Sequence, residues 1–223
     1  MSTSISKQTF QFLSDLEKNN NPEWFNDHKA LYTEAHENTI EFIEHLIDEL
    51  GHFDEELKKI DAKKSLFRIY RDTRFSKNKE PYKNNFGASL GMGKGSQKAG
   101  FYIHIQPGKS FIGGGLYHPE SPNLKKVRNE ISLFQDEFLK IIENKDFKKV
   151  YGKLNEDEKL VKVPNGFEKD HPLGEYLKLK SFVALHPMAD SDFQNPKSIE
   201  NVVNDLKVLH PLNNYINIAL GAE

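Results

Sequence analysis

Between residues 65 and 116 the apolar residues change their spacing, and this constrains the fold more than any other feature of the chain. On either side they recur every three or four residues, the period of a helix buried on one face. Within the stretch they alternate, the period of a strand with one covered face. Residues 65–72 (SLFRIYRD), 101–106 (FYIHIQ) and 110–116 (SFIGGGL) alternate, and 85–90 do so more weakly. Pro107-Gly108-Lys109 separates the last two as a hairpin turn. Strands joined by such short connections pair antiparallel. Strands gathered in the middle, with helices before and after, predict an α+β fold. The expectation is one domain over residues 1–223, with a central, mainly antiparallel sheet flanked by long N-terminal, middle and C-terminal helices.

The helical periods are explicit. Phe10, Leu13 and Leu16 mark a helix over 6–19 with Ser6 as its cap. Asn21-Pro22 opens a second, with Asn21 at the N-cap, running to Leu50 and stopping at Gly51. Leu31, Ala35, Phe42, Leu46 and Leu50 form its expected buried stripe. A third starts at Ser121 and carries Leu124, Val127, Ile131, Phe134, Phe138 and Ile141. Shorter helical turns are expected over 146–152 and 173–179, and a strand over 181–185. The last helix carries Ile199, Val202, Leu206 and Leu209; Pro211 starts, kinks or restarts it.

Several chemistries are absent. With no cysteine, disulfides, thiolate metal sites and Cys nucleophiles are excluded. The nine histidines show no paired metal spacing. Glu34, Glu37, Glu41, Glu44 and Asp48 form a carboxylate stripe that reads as a solvated face rather than a metal centre, so no metal and no cofactor is expected. Gly113–Gly115 and Gly91-x-Gly93-x-Gly95 are neither phosphate loops nor dinucleotide fingerprints; the first suggests a bulge or close backbone approach, the second a flexible loop over 91–100. Apolar runs are short and no secretory leader is evident, so a cytoplasmic protein without a membrane partner is expected.

The net charge of −2 conceals an uneven distribution. Residues 1–62 hold 5 Lys/Arg against 14 Asp/Glu, and residues 63–109 hold 11 against 2. A basic middle segment is an electrostatic footprint for an anion, or it neutralises the acidic N-terminal part. If 66–74 is extended, Phe67 and Ile69 face the core while Arg68, Tyr70, Asp72 and Arg74 face the other way. Asp72 can pair one arginine and leave another for a ligand; Arg74, nearer the loop, is expected to be the free one, and Arg68 the structural one. Arg71, Lys77, Lys79, Tyr82 and Lys83 crowd the same neighbourhood. On the next strand Tyr102, His104 and Gln106 share a face, and His104 titrates near neutral pH. His104, Tyr70 and Asp72 are therefore the candidate catalytic groups. Arg68, Arg71, Arg74, Lys77, Lys79, Tyr82, Lys83, Tyr102 and His118 are the candidate ligand contacts, His118 because it precedes a capped helix.

The segments NPEWF at 21–25, FRIYRDTRFSKNKEPYKNNFGA at 67–88, GFYIHIQPGKSFIGGGLYHPE at 100–120 and LKLKSFVALHP at 177–187 resemble a bacterial family known as domain of unknown function 2461. The resemblance implies an α+β domain and carries over no activity or site residue. Three readings stand: a binder, or enzyme, for a small phosphate- or carboxylate-bearing ligand; a nucleic-acid-binding module using the same loop, with Phe75 and Tyr82 as stacking surfaces; and a structural protein whose arginines are paired internally. The sequence pI near 6.5 counts against a dedicated nucleic-acid binder. Nothing in the sequence specifies an oligomeric state.

Overall fold

The computed structural model describes residues 4–91 and 98–221. Helices α1 (Lys7–Lys18), α2 (Pro22–Asp27) and α3 (Lys29–Leu50) come first, then a 3-10 turn over Glu55–Lys59 and the short α4 (Ala62–Ser65). Strands β1 (Phe86–Leu90), β2 (Gly100–Ile105) and β3 (Phe111–Leu116) follow. Helices α5 (Ser121–Leu133), α6 (Gln135–Ile142), α7 (Lys145–Val150) and α8 (Gly174–Leu177) precede β4 (Phe182–Pro187), and α9 (Asp190–Gln194) and α10 (Ser198–Leu220) come last. Among the described residues the strands make one antiparallel sheet in the order β1-β2-β3-β4, the α+β fold anticipated from the change of period. The flexible loop expected at 91–100 falls largely on residues 92–97, which lie outside the described ones.

Local signals act where expected at Ser6 and Asn21, whereas the cap expected at the start of the third helix is not made: Ser121 is its first residue, and Glu120 at the N-cap makes no side-chain capping bond. The Ser6 hydroxyl accepts the Thr9 N–H at 3.0 Å, and Asn21 Oδ1 accepts the Trp24 N–H at 3.0 Å. Two long helices are nevertheless interrupted. The one expected from Asn21 to Leu50 breaks at His28 (φ −109°, ψ 22°). There the imidazole Nδ1 donates to the Trp24 carbonyl at 2.8 Å, and the ring lies flat on the indole at 4.1 Å. The third helix breaks at Phe134 (φ −119°, ψ 57°), which is 46% exposed rather than buried. The Tyr215 hydroxyl donates to the Phe134 carbonyl at the break. By contrast, α10 runs through Pro211 without a stop.

The described residues form two compact units. The first comprises residues 4–90, Tyr102–Ile112 and Pro187–Asn204. Leu13 and Leu16 of α1, Phe42 and Leu46 of α3, Phe86 of β1 and Ile103 and Ile105 of β2 are fully buried in it. Phe42 meets Phe193 of α9 edge-on at 5.8 Å. The second comprises residues 91 and 98–101, Gly113–His186 and residues 205–221. Its core takes Val127, Ile131, Phe138, Phe147, Leu177, Phe182, Leu209 and Leu212. The buried Tyr151 hydroxyl donates to the Asp205 carbonyl at 2.9 Å, and burial raises its pKa. No helix among the described residues is long and apolar enough to cross a membrane.

Candidate functional site

The basic segment folds as an irregular hairpin in the first unit. Residues 66–71 run antiparallel to 81–88 through isolated bridges, Leu66 to Ala88 and Tyr70 to Tyr82. Phe67 N–H donates to the Gly87 carbonyl, Lys83 N–H to Ile69 and Arg71 N–H to Pro81, each at 2.8 Å. The ladder is too sparse to continue the sheet as a fifth strand. The expected alternation fails accordingly: Leu66 and Ile69 are buried, three apart, while Phe67 is 44% exposed.

Most cations of the hairpin are already engaged. Arg74 donates to both oxygens of Asp72, Nε to Oδ1 at 3.0 Å and Nη2 to Oδ2 at 2.7 Å. These bonds hold the Asp72 carboxyl below its usual range. Arg71 Nη1 reaches Glu80 Oε2 at 3.3 Å, and Lys79 Nζ donates to the Thr73 carbonyl at 2.9 Å. The expected roles of Arg68 and Arg74 are thus reversed. Arg74 is paired; Arg68 makes no side-chain hydrogen bond or ion pair among the described residues, and Asp72 feels it only through space. Its neighbour Lys83 donates to the Arg68 carbonyl at 2.9 Å and sits 5.4 Å from the Phe67 ring centre. Burial, and then the Arg68 charge, lower the Lys83 pKa.

Phe67 leads onto the outer face of the sheet, where its ring lies 6.1 Å from that of Tyr102. Gly87 lets the phenol cross β1, because a Cβ there would run into the Tyr102 hydroxyl. Beside it His104 stacks on Phe111 at 4.5 Å. His104 Nε2 lies 2.9 Å from Gln106 Oε1, while Nδ1 faces the Tyr102 hydroxyl at 3.3 Å and Asn85 Nδ2 at 3.4 Å. One proton arrangement satisfies all three contacts: Nε2–H donates to Gln106, and Nδ1 accepts. That is the neutral imidazole, and burial lowers its pKa in keeping.

The other expected residues fall elsewhere. Tyr82 is buried and stacked on Phe25 at 4.1 Å, so its ring is core and not a ligand surface. Tyr70 packs in the same aromatic cluster, 6.1 Å from Phe25 and 5.4 Å from Tyr82. Lys77 is exposed on the loop. His118 belongs to the second unit, where its Nε2 lies 3.4 Å from Glu158 Oε1 and its N–H donates to Ser181. The three candidate catalytic groups therefore have separate partners: His104 on the sheet face, Tyr70 in the aromatic cluster and Asp72 on Arg74. Asn85 and Phe111 complete the His104 cluster without having been singled out. The parity of Asn85 with Gly87 was the available signal.

The buried neutral His104 makes stability depend on pH. Its folded pKa lies below the ordinary 6.5, so the unfolded chain binds more protons between those two values. Stability therefore rises with pH across that window and is lost as pH falls through 6.5. His36, lowered by burial and by Lys63, acts in the same direction. His104→Gln is expected to shrink the difference in melting temperature between about pH 7.5 and about pH 5.5. An unchanged difference contradicts the assignment.

Among the described residues no group of His, Asp and Glu is arranged to hold a metal ion. A family described as conserved hypothetical protein (DUF2461) matches this chain over residues 8–215. No curated protein and no solved structure matches it.

Proposed function

We propose that this chain, which belongs to the DUF2461 family, binds a small phosphate- or carboxylate-bearing ligand at Arg68 and Lys83, next to the Tyr102–His104 face of the sheet. The observation that carries the reading is the position of Arg68: a guanidinium with no carboxylate in contact among the described residues, set against an ammonium that burial and the Arg68 charge already destabilise. Two adjacent uncompensated cations gain most from an anion, and a guanidinium offers it paired donors. Because both His104 nitrogens are occupied, the cluster favours orienting a ligand over transferring a proton. The same reading places the protein in the cytoplasm, where a chain without cysteine forgoes nothing by lacking disulfides.

Titration calorimetry with inorganic phosphate and a phosphate monoester tests this. Arg68→Ala is expected to weaken binding by roughly tenfold to a hundredfold, the worth of hydrogen bonds to a charged group. Arg74→Ala, whose exposed pair with Asp72 is solvent-screened, is expected to change both binding and stability little. Equal losses in the two variants, or none in Arg68→Ala, would sink the assignment.

One observation favours a second reading. Phe75 is 97% exposed beside Arg74, as a stacking platform for single-stranded nucleic acid would be. An oligonucleotide titrated at several salt concentrations separates the two. Polymer binding falls steeply with salt, with a slope of about −0.7 per phosphate contact. Tight binding with that slope, lost in Phe75→Ala, replaces the small-ligand reading.

A further inference from the structure

We infer that the first unit also carries a binding site for a small organic ammonium, in a cleft formed by α1, α2 and α3. The cleft has a volume of ≈ 410 Å³, within the range of small-molecule sites. Phe12, Trp24, Leu31 and Ala35 form its apolar lining, and among the described residues Asp15 and Glu34 are the only ionisable groups on it. Leu31 belongs by spacing to the buried stripe of α3 yet is 46% exposed, so apolar surface here is left without a cover. His28 lies flat on the Trp24 indole at 4.1 Å without lining the cleft, while Phe12, which lines it, stacks on the same indole at 6.2 Å, so Phe12 and Trp24 form one aromatic wall of the cleft.

The lining dictates the charge and shape of the occupant. Both Asp15 oxygens accept from Gln11 Nε2, at 2.9 and 3.0 Å, which orients the carboxylate without neutralising it. Glu34 makes no hydrogen bond or ion pair among the described residues. Two carboxylates and no cation repel an anion. A hard metal ion needs a shell of oxygens and gains little from apolar walls. A cation with an apolar body satisfies both parts at once: its charge meets the carboxylates, and its alkyl groups meet the aromatic and aliphatic wall. The occupant is therefore a compact alkylammonium, primary or quaternary, and not a phosphate or carboxylate like that proposed for Arg68.

Trp24 is the single tryptophan of the chain, so its fluorescence reports on this cleft directly. Choline, butylammonium and neohexanol, the uncharged carbon analogue of choline, are titrated against the full chain while tryptophan emission is followed. A saturable change with an ammonium is expected, with neohexanol at least about tenfold weaker. The double variant Asp15→Asn/Glu34→Gln, which keeps the shape of both side chains, is expected to weaken ammonium binding by about tenfold or more while melting like the parent. Equal response to neohexanol, undiminished binding in the double variant, or no saturable change in emission each overturns the proposal. Trp24→Leu, followed by calorimetry, is expected to lose binding; full retention also overturns it.

Discussion

Gly115→Ala is expected to lower the melting temperature by on the order of 10 °C or more. Gly115 holds φ +114°, a conformation that L residues rarely adopt. Its α-carbon also packs directly on β4: a Cβ would run into the Phe182 carbonyl oxygen and crowd Val183 Cα. Backbone strain costs about 1–3 kcal/mol and overpacking a similar amount, so the sum is about 2–6 kcal/mol. For a chain of this size each kcal/mol moves the midpoint by about 2–4 °C. The obstruction is backbone rather than a flexible side chain, so relaxation relieves little of it. Gly108→Ala is the control. It also has positive φ, +67°, but nothing lies within 4 Å of its would-be Cβ. Its cost is the left-handed backbone alone, about 1–2 kcal/mol. Thermal unfolding of the two variants side by side decides. If they melt together, the close approach of β3 to β4 is not what demands glycine.

Phe25→Ala is expected to cost about 3–5 kcal/mol, the usual penalty for emptying a buried aromatic site. Phe25 is 2% exposed, lies parallel on Tyr82 at 4.1 Å, and meets Tyr32 at 5.1 Å and Tyr70 at 6.1 Å. It is the side chain through which α2 holds the hairpin, and the Asn20 side chain assists by pairing with the Tyr82 backbone in both directions at 3.1 Å. The variant is therefore expected to loosen the Arg68–Lys83 region as well, seen as faster amide exchange at Phe67, Arg71 and Lys83, whose N–H groups close the hairpin. Phe75→Ala, by contrast, is expected to leave stability within about 0.5 kcal/mol, because that ring is 97% exposed. A Phe25→Ala protein as stable as Phe75→Ala contradicts the anchoring role.

The sequence was legible where the governing interactions are local. Caps at Ser6 and Asn21 act on an N–H three residues away, so the residue type and its place suffice. Alternation in 101–106 reports a sheet with two unlike faces, and Phe101, Ile103 and Ile105 are buried while Tyr102 and His104 are half-buried; in β3 the expected alternation is not seen, because residues 112–116 are buried on both faces. The glycines after Ile112 signalled a close backbone approach, which Gly115 makes. The same reasoning failed over 66–74. Alternation there presumes a ladder on both sides of the strand, and the hairpin makes only isolated bridges. Phe67 consequently turns outward, against Tyr102, and Leu66 takes the buried place.

The charge of the middle segment, the helix caps and the strand period belong to the sequence itself, because each rests on residue type and on neighbours a few positions away. The assignment of partners rests on the tertiary structure. Arg71 meets Glu80, nine residues on, because the hairpin closes with Tyr70 opposite Tyr82. Arg74 folds back onto Asp72, and Arg68 is left without a carboxylate in contact among the described residues. Likewise Leu31 lies on the apolar stripe of α3 by its spacing, and only the packing of α1 and α2 leaves it at the edge of a cleft. The reason is physical: a side chain's chemistry is carried by its own atoms, but whether that chemistry is satisfied or left open depends on which distant segment the fold brings alongside it.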